Sequence, residues 1–219
     1  MHAFRGLKSS LCAAALTALP LSPAQAAAVP GQGTWETTLE ARDINGDSVV
    51  DAYYDTALDI TWLADWNVNG LQNWDAAVAW AAGLNVYGTT GWRLPSTVDD
   101  LSSDGLPPPT DSSEIAHMYY VTLGNTAYPD AGYGLSNTAN FLNMQVNSYW
   151  SGTEHAGLDT AWYFYMASGY QGSGAGKTNE LYAVAVRPGD VAAVPEPQTV
   201  ALMLAGLSAL ALARRRRTR

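Results

Sequence analysis

The chain has 219 residues, with 20 acids against 11 bases, one cysteine, eight tryptophans and twelve tyrosines, and a formal net charge of −9. A field of that sign repels nucleic acid and anionic lipid, so no nucleic-acid partner is expected. A lone cysteine excludes an internal disulfide, which leaves stability to the core. At the N-terminus, Arg5 and Lys8 precede an apolar stretch over 11–19 and the A-x-A site Ala24-Gln25-Ala26, the pattern of a cleaved export signal over residues 1–26. Cys12 lies inside that signal behind Leu11, where a lipidated cysteine would follow a small residue, so the mature chain has no thiolate and no Cys-based metal site. The following span, 27–193, reads as one domain of ordinary size. It holds four bases, Arg42, Arg93, Lys177 and Arg187, against 19 acids, a net charge of −15.

Residues 34–42 alternate as a strand, and 49–54 and 58–63 read as two more. Between the first two, Asp43, Asn45, Asp47 and Asp51 occupy positions 1, 3, 5 and 9 of a calcium loop of the EF-hand kind, with the Val49 carbonyl at position 7. Ser48 stands where such a loop has glycine, Tyr54 where it has glutamate, and the flanks read as strands. Two readings stand: a Ca2+ site on those four residues, or an Asx-rich turn whose side chains bond local amides. Asn73 then caps a helix stopped by Gly83, Ser96 and Thr97 cap a second over 98–101, and Ser112 or Ser113 caps a third running to Leu123. A proline-stiffened spacer over 105–110 separates the last two. Strand patterning returns over 148–153, 160–167 and 180–187, with Gly172-Ser173-Gly174-Ala175-Gly176 as a hairpin tip or flexible loop. Strands at both ends of a helical middle predict an α+β domain whose termini meet in one antiparallel sheet.

At the C-terminus Pro195-Glu196-Pro197 precedes an apolar run over 199–213 and then Arg214 to Arg217. As a helix rising ~1.5 Å per residue, the run reaches roughly 22 Å, short of a ~30 Å hydrocarbon core, and its arginines stay cytoplasmic. This order over 194–219 resembles the PEP-CTERM sorting signal. The resemblance implies an inner-membrane precursor held by that helix, cleavage near Pro195 by an exosortase-type protease, and release to the cell surface or matrix.

Inside the domain, Tyr53-Tyr54-Asp55-Thr56, Asp59-Ile60-Thr61-Trp62-Leu63-Ala64-Asp65, Asn73-Trp74-Asp75-Ala76-Ala77, Gly91-Trp92-Arg93-Leu94-Pro95, Tyr149-Trp150-Ser151-Gly152-Thr153-Glu154, Ala161-Trp162-Tyr163-Phe164 and Val186-Arg187-Pro188 follow one another. This ordered series resembles a family of exported bacterial domains that includes the C-terminal domain of the Legionella collagen-like adhesin. The resemblance implies a C-type-lectin-like α+β fold, no established catalytic function and, from the best-known member, attachment through sulfated polysaccharide. Two departures stand out: the chain carries no collagen-like repeat, and its acidity opposes a direct sulfated-glycan site.

The expected ligand is therefore a glycan or exopolysaccharide, with Trp92, Arg93, Trp150, Glu154, His155 and Trp162 as candidate contacts. Each also has a plainer role. Arg93 can pair with Glu154 or Asp65, Arg187 can pair likewise, the tryptophans can be core, His155 a loop residue and His117 a helix-face residue. No G-x-S-x-G, H-E-x-x-H or phosphate loop is present, so no catalytic residue is assigned. A paired-carboxylate hydrolase has 19 acids to draw on, with Glu154 and Asp159 as the pair chosen. The expected protein is a non-catalytic surface or biofilm-matrix binder. The alternatives are a structural matrix component acting by protein contacts and an exported polysaccharide hydrolase.

Overall fold

A computed structural model describes residues 26–191. The export signal up to residue 25, the sorting residues Pro195, Glu196 and Pro197 and the apolar run after them lie outside the described residues. Among the described residues, no helix is long and apolar enough to cross a membrane.

The chain enters through one helical turn, α1 (Trp35–Thr38), and passes straight into β1 (Leu39–Arg42). The strand expected over 34–42 is thus half helical. Its cause is Thr34, whose carbonyl accepts from the amides of Thr37 and Thr38 at 2.9 and 3.0 Å and from both their hydroxyls at 3.0 Å. β2 (Ala52–Asp55) and β3 (Ile60–Leu63) follow as an antiparallel pair. α2 (Trp74–Gly83) starts where expected, with Asn73 Oδ1 accepting from Ala76 N at 2.9 Å. The helix expected over 98–101 is displaced to a single 3-10 turn, Leu101–Ser103, capped by Asp100. Thr97 is instead tied to Thr153, giving its carbonyl to that hydroxyl at 2.8 Å. Ser113 caps α3 (Glu114–His117), which widens into a π turn over Met118–Thr122.

The last third supplies β4 (Ser148–Glu154), β5 (Thr160–Tyr165), β6 (Tyr170–Gly176) and β7 (Val186–Pro188). The termini do meet in one antiparallel sheet, ordered β1-β2-β3-β7, but β4-β5-β6 form a second sheet that the patterning did not separate. β6 runs through the glycine-rich stretch expected as a loop. Glycine is a packing requirement there, since a Cβ on Gly172 would lie 2.8 Å from the Tyr170 ring and 3.1 Å from the Tyr163 ring. The segment before β7 stitches the sheets together, with Trp150 N donating to Tyr182 O at 2.9 Å and Leu63 N to Ala185 O at 3.0 Å.

With no disulfide available, large aromatics fill the interior. Trp62 and Trp66 stack with centroids 5.3 Å apart, and Trp66 meets Phe141 and Tyr149 edge-on, each at 5.4 Å. Tyr119, Met118, Phe164 and Met166 complete a cluster that joins both sheets to α3. A second cluster packs Ala77 and Ala81 of α2 against Trp92 and Trp150.

The entering arm crosses the end of the π turn, where Thr34 N donates to Thr122 O at 2.9 Å. Gly33 and Gly124, at φ +74° and +67°, touch there backbone to backbone, and a Cβ on Gly124 would sit 2.5 Å from Gly33 N. Gly132, at φ +81°, faces open space. Gly124→Ala should therefore cost roughly 3 kcal/mol or more, and Gly132→Ala only the backbone strain of about 1 kcal/mol, measured by urea denaturation. Equal losses would contradict the close approach.

Candidate functional site

The sequence-predicted residues divide. Trp92, Trp150 and Trp162 are 3%, 0% and 0% exposed, so they are core and present no ring face to a sugar. Their indole N–H groups are used in place: Trp92 donates to Thr89 O at 3.0 Å and Trp150 to Gln72 O at 2.8 Å. Arg93 pairs with neither Glu154 nor Asp65. It grips Glu114 with two bonds of 2.7 Å, and Glu114 also accepts from Ser96 N at 2.7 Å. The bond to Glu114 pushes the Arg93 pKa up. Glu154 pairs with Lys177, whose ammonium lies 4.6 Å from the Trp74 ring centroid. One member of the Glu154–Asp159 pair is thereby neutralised. Arg187 donates to the carbonyls of Thr90 and Asp190 at 3.0 and 2.9 Å, not to a carboxylate. His117 is half-buried on α3, as expected.

His155 and Trp162 do come together, on a residue that the sequence did not single out. Asp99 Oδ1 takes the Trp162 indole N–H at 2.8 Å and faces His155 Nδ1 at 2.9 Å, while Oδ2 accepts from Ala156 N at 3.0 Å. The bond from Trp162, with those from His155 and Ala156, holds the Asp99 carboxyl below the usual carboxylate range. This knot locks the β4–β5 turn and engages both Asp99 oxygens, His155 Nδ1 and the Trp162 indole N–H, with Asp99 itself at the surface.

The Asp43 loop folds on itself. Asp43 accepts from the amides of Gly46 and Ser48, both at 2.7 Å, and Asp47 Oδ1 accepts from Val49 N at 2.8 Å. Asn45 Oδ1 accepts from Asp47 N at 2.9 Å, and Asp51 Oδ2 from Ile44 N at 2.8 Å. Desolvation acts upward on Asp43, but the amides of Ser48, Gly46, Asp47 and Asn45 outweigh it and hold its carboxyl low. Ser48 takes φ +71° at the position where a calcium loop has glycine. Both oxygens of Asp43, the Asn45 Oδ1 and the Asp47 Oδ1 accept from the loop's own amides, while Asp51 gives only Oδ2 to one. Among the described residues, no group of three or more His, Cys, Asp or Glu side chains is arranged to hold a metal ion. The loop has the geometry of the Asx-rich turn, one of the two readings.

Asp51 belongs to a different feature. It lines a groove of about 370 Å³ with Leu63, Ala64, Asp65, Val68 and Leu142, and with the 85–87 segment. Leu142 is fixed there by its amide on Ala64 O at 2.8 Å and by its carbonyl, which accepts from Trp66 N at 2.9 Å. Beyond α2, Val86 and Thr89 exchange both backbone bonds at 2.9 Å around a two-residue hairpin turn. Tyr87 and Gly88 both take left-handed backbone, φ +49° and +92°, which is the type I′ geometry. Glycine adopts it freely. Tyrosine at the first central position, where Asn or Asp is usual, costs about 1–2 kcal/mol. Burial does not offset that cost, because Tyr87 is 63% exposed.

The rest of the lining is polar at its edge and apolar at its base. Asn85 Oδ1 accepts from Gly88 N at 2.7 Å, which leaves its NH2 for another acceptor. Asp65 accepts from Asn67 N at 2.8 Å and from Asn143 Nδ2 at 2.9 Å, with lone pairs to spare. An exposed ring, an amide and two carboxylates in one groove offer a stacking face and partners for hydroxyl or amino groups. None of Asp65, Asn85 or Tyr87 was picked from sequence as a ligand contact. The available signal was Tyr87-Gly88 between Val86 and Thr89, a two-residue turn holding a residue that the turn disfavours.

Residues 51–187, more than half of the chain, match the family model described as the Lcl C-terminal domain. Residues 193–217 match the PEP-CTERM protein-sorting motif. No curated protein and no solved structure matches the chain. The first match begins at Asp51 and takes in the groove residues Asp65, Tyr87 and Leu142. The sorting motif marks an exported protein, anchored in the membrane before processing by an exosortase.

Asp99 gives a pH test of the knot. Its folded pKa lies below the ordinary 3.8, so its stabilisation is present above that value and is lost as pH falls through the folded pKa. Asp99→Asn should be less stable than the wild type at about pH 7, with the gap closing toward about pH 3, as read by chemical denaturation. A gap that does not change with pH would contradict the assignment.

Proposed function

The chain belongs to the Lcl C-terminal domain family, and we propose that it is a non-catalytic, lectin-like protein of the cell surface or matrix that binds glycan in the groove beside Tyr87. One observation carries the reading: a tyrosine held in a strained turn with its ring exposed beside two carboxylates and an amide. Strain that nothing in the fold requires concentrates where function holds it. A sugar offers an apolar C–H face for the ring and hydroxyls for Asp51, Asp65 and Asn85, which is the chemistry of this lining. One finding supports a binding role over hydrolysis: Glu154, of the one carboxylate pair chosen from sequence, is ion-paired with Lys177.

A structural matrix role has its own observation. Tyr128 and Tyr133 are each 51% exposed and meet edge-on at 5.0 Å, an aromatic pair suited to protein contacts.

Tyr87→Asn separates function from fold. Asparagine suits the turn, so the variant should unfold later than the wild type by roughly 0.5–1 kcal/mol. Loss of the ring should weaken glycan binding about 3- to 10-fold on a polysaccharide array, the equivalent of about 0.5–1.5 kcal/mol. Unchanged retention of every bound glycan would remove the groove from the account.

A further inference from the structure

Resting on the glycan reading above, we infer that the groove selects polysaccharide carrying free amino groups, a hexosamine polymer at least partly de-N-acetylated, over neutral or sulfated chains. The first support is the lining itself. Its ionisable side chains are Asp51, Asp65 and Tyr87, with no cation among them. Asp51 spends one oxygen on Ile44 N and keeps the other, while Asp65 spends one on Asn67 N and the other on Asn143 Nδ2, each of which retains a second lone pair. An ammonium also suits the exposed Tyr87 ring, through cation–π attraction.

The second support is where the cations are. The described residues include four, and each is committed. Arg42 is bound to Asp190 and Glu40 at 2.7 and 2.6 Å, and Arg93 to Glu114 at 2.7 Å. Lys177 is bound to Glu154, and Arg187 to two backbone carbonyls. None of the four lines the groove, and an anionic sugar would have to enter a field set by 19 acids. A cationic sugar gains from that same field and displaces nothing.

The test uses the full chain in detergent, with three matched oligosaccharide probes: a glucosamine oligomer with free amines, its fully N-acetylated counterpart and a sulfated oligosaccharide, titrated by calorimetry below the amine pKa. The amino oligomer should bind roughly tenfold more tightly than the acetylated one. The advantage should shrink at about 1 M salt, where charges are screened beyond ~3 Å. It should shrink also in the double variant Asp51→Asn/Asp65→Asn, whose amide oxygens can still accept from Ile44 and Asn67 and whose NH2 at position 65 is accommodated by a flip of the Asn143 amide. Equal affinity for the amino and acetylated oligomers would overturn this inference and leave the glycan reading standing. Tightest binding of the sulfated probe, or an amino preference untouched in the double variant, would also overturn it. No binding of any probe would overturn both readings.

Discussion

Nineteen carboxylates and four cations must share one domain, and the way the carboxylates are satisfied organises everything else. A carboxylate removed from water needs donors, and with so few cations those donors must be amides, hydroxyls and indoles. Asp55 shows the solution at its extreme. It is fully buried, and its partners are the amides of Ala57 and Leu58 at 3.0 and 3.4 Å and the Thr122 hydroxyl at 3.5 Å. Desolvation pushes its carboxyl up, against those bonds. Asp43, Asp47, Asp99 and Asp100 each fix a turn in the same way, by collecting amides. The acids are thus the rivets of the loops.

The same constraint explains why the cations are structural. Arg42 ties β1 to Asp190 beyond β7, closing the first sheet across its two ends. Arg93 lies beside β7, exchanging backbone bonds with Val186 at 2.8 Å, and its guanidinium reaches across to Glu114 at the start of α3. Both pairs are bidentate, the geometry in which a guanidinium holds orientation as well as charge. Committed in this way, the cations leave the groove by Tyr87 to its carboxylates. Its character as a site follows from what the rest of the fold has used up.

Much of the architecture was legible in the sequence because it rests on local chemistry. The Asn73 and Ser113 caps and the extent of α2 follow from residues within a few positions of one another, and the meeting of terminal strands from the order of strand and helix patterning along the chain. The errors share a different cause, which is distance along the chain. Arg93 chooses Glu114, 21 residues on, over Asp65 and Glu154, and Asp99 meets His155 and Trp162 from 56 and 63 residues away, pairings that no local pattern ranks. Gly172 of β6 read as flexible because the Tyr163 and Tyr170 rings that crowd it belong to a neighbouring strand and an earlier position. The three tryptophans proposed as platforms were undecided between core and surface on composition alone, and burial decides for core. The calcium-like spacing folds as an Asx-rich turn, with the loop's own amides bonded to Asp43, Asn45 and Asp47.

The location of the site is the claim on which the functional account turns, and chemical-shift mapping tests it most directly. Amide resonances of the 15N-labelled full chain would be followed while an amino-sugar oligomer is added. The account predicts shifts concentrated at Asp51, Asp65 and Asn85 to Gly88, with the Asp99–His155 knot silent. Shifts centred on Arg93, His155 and Trp162, or spread evenly over the acidic surface, would contradict it.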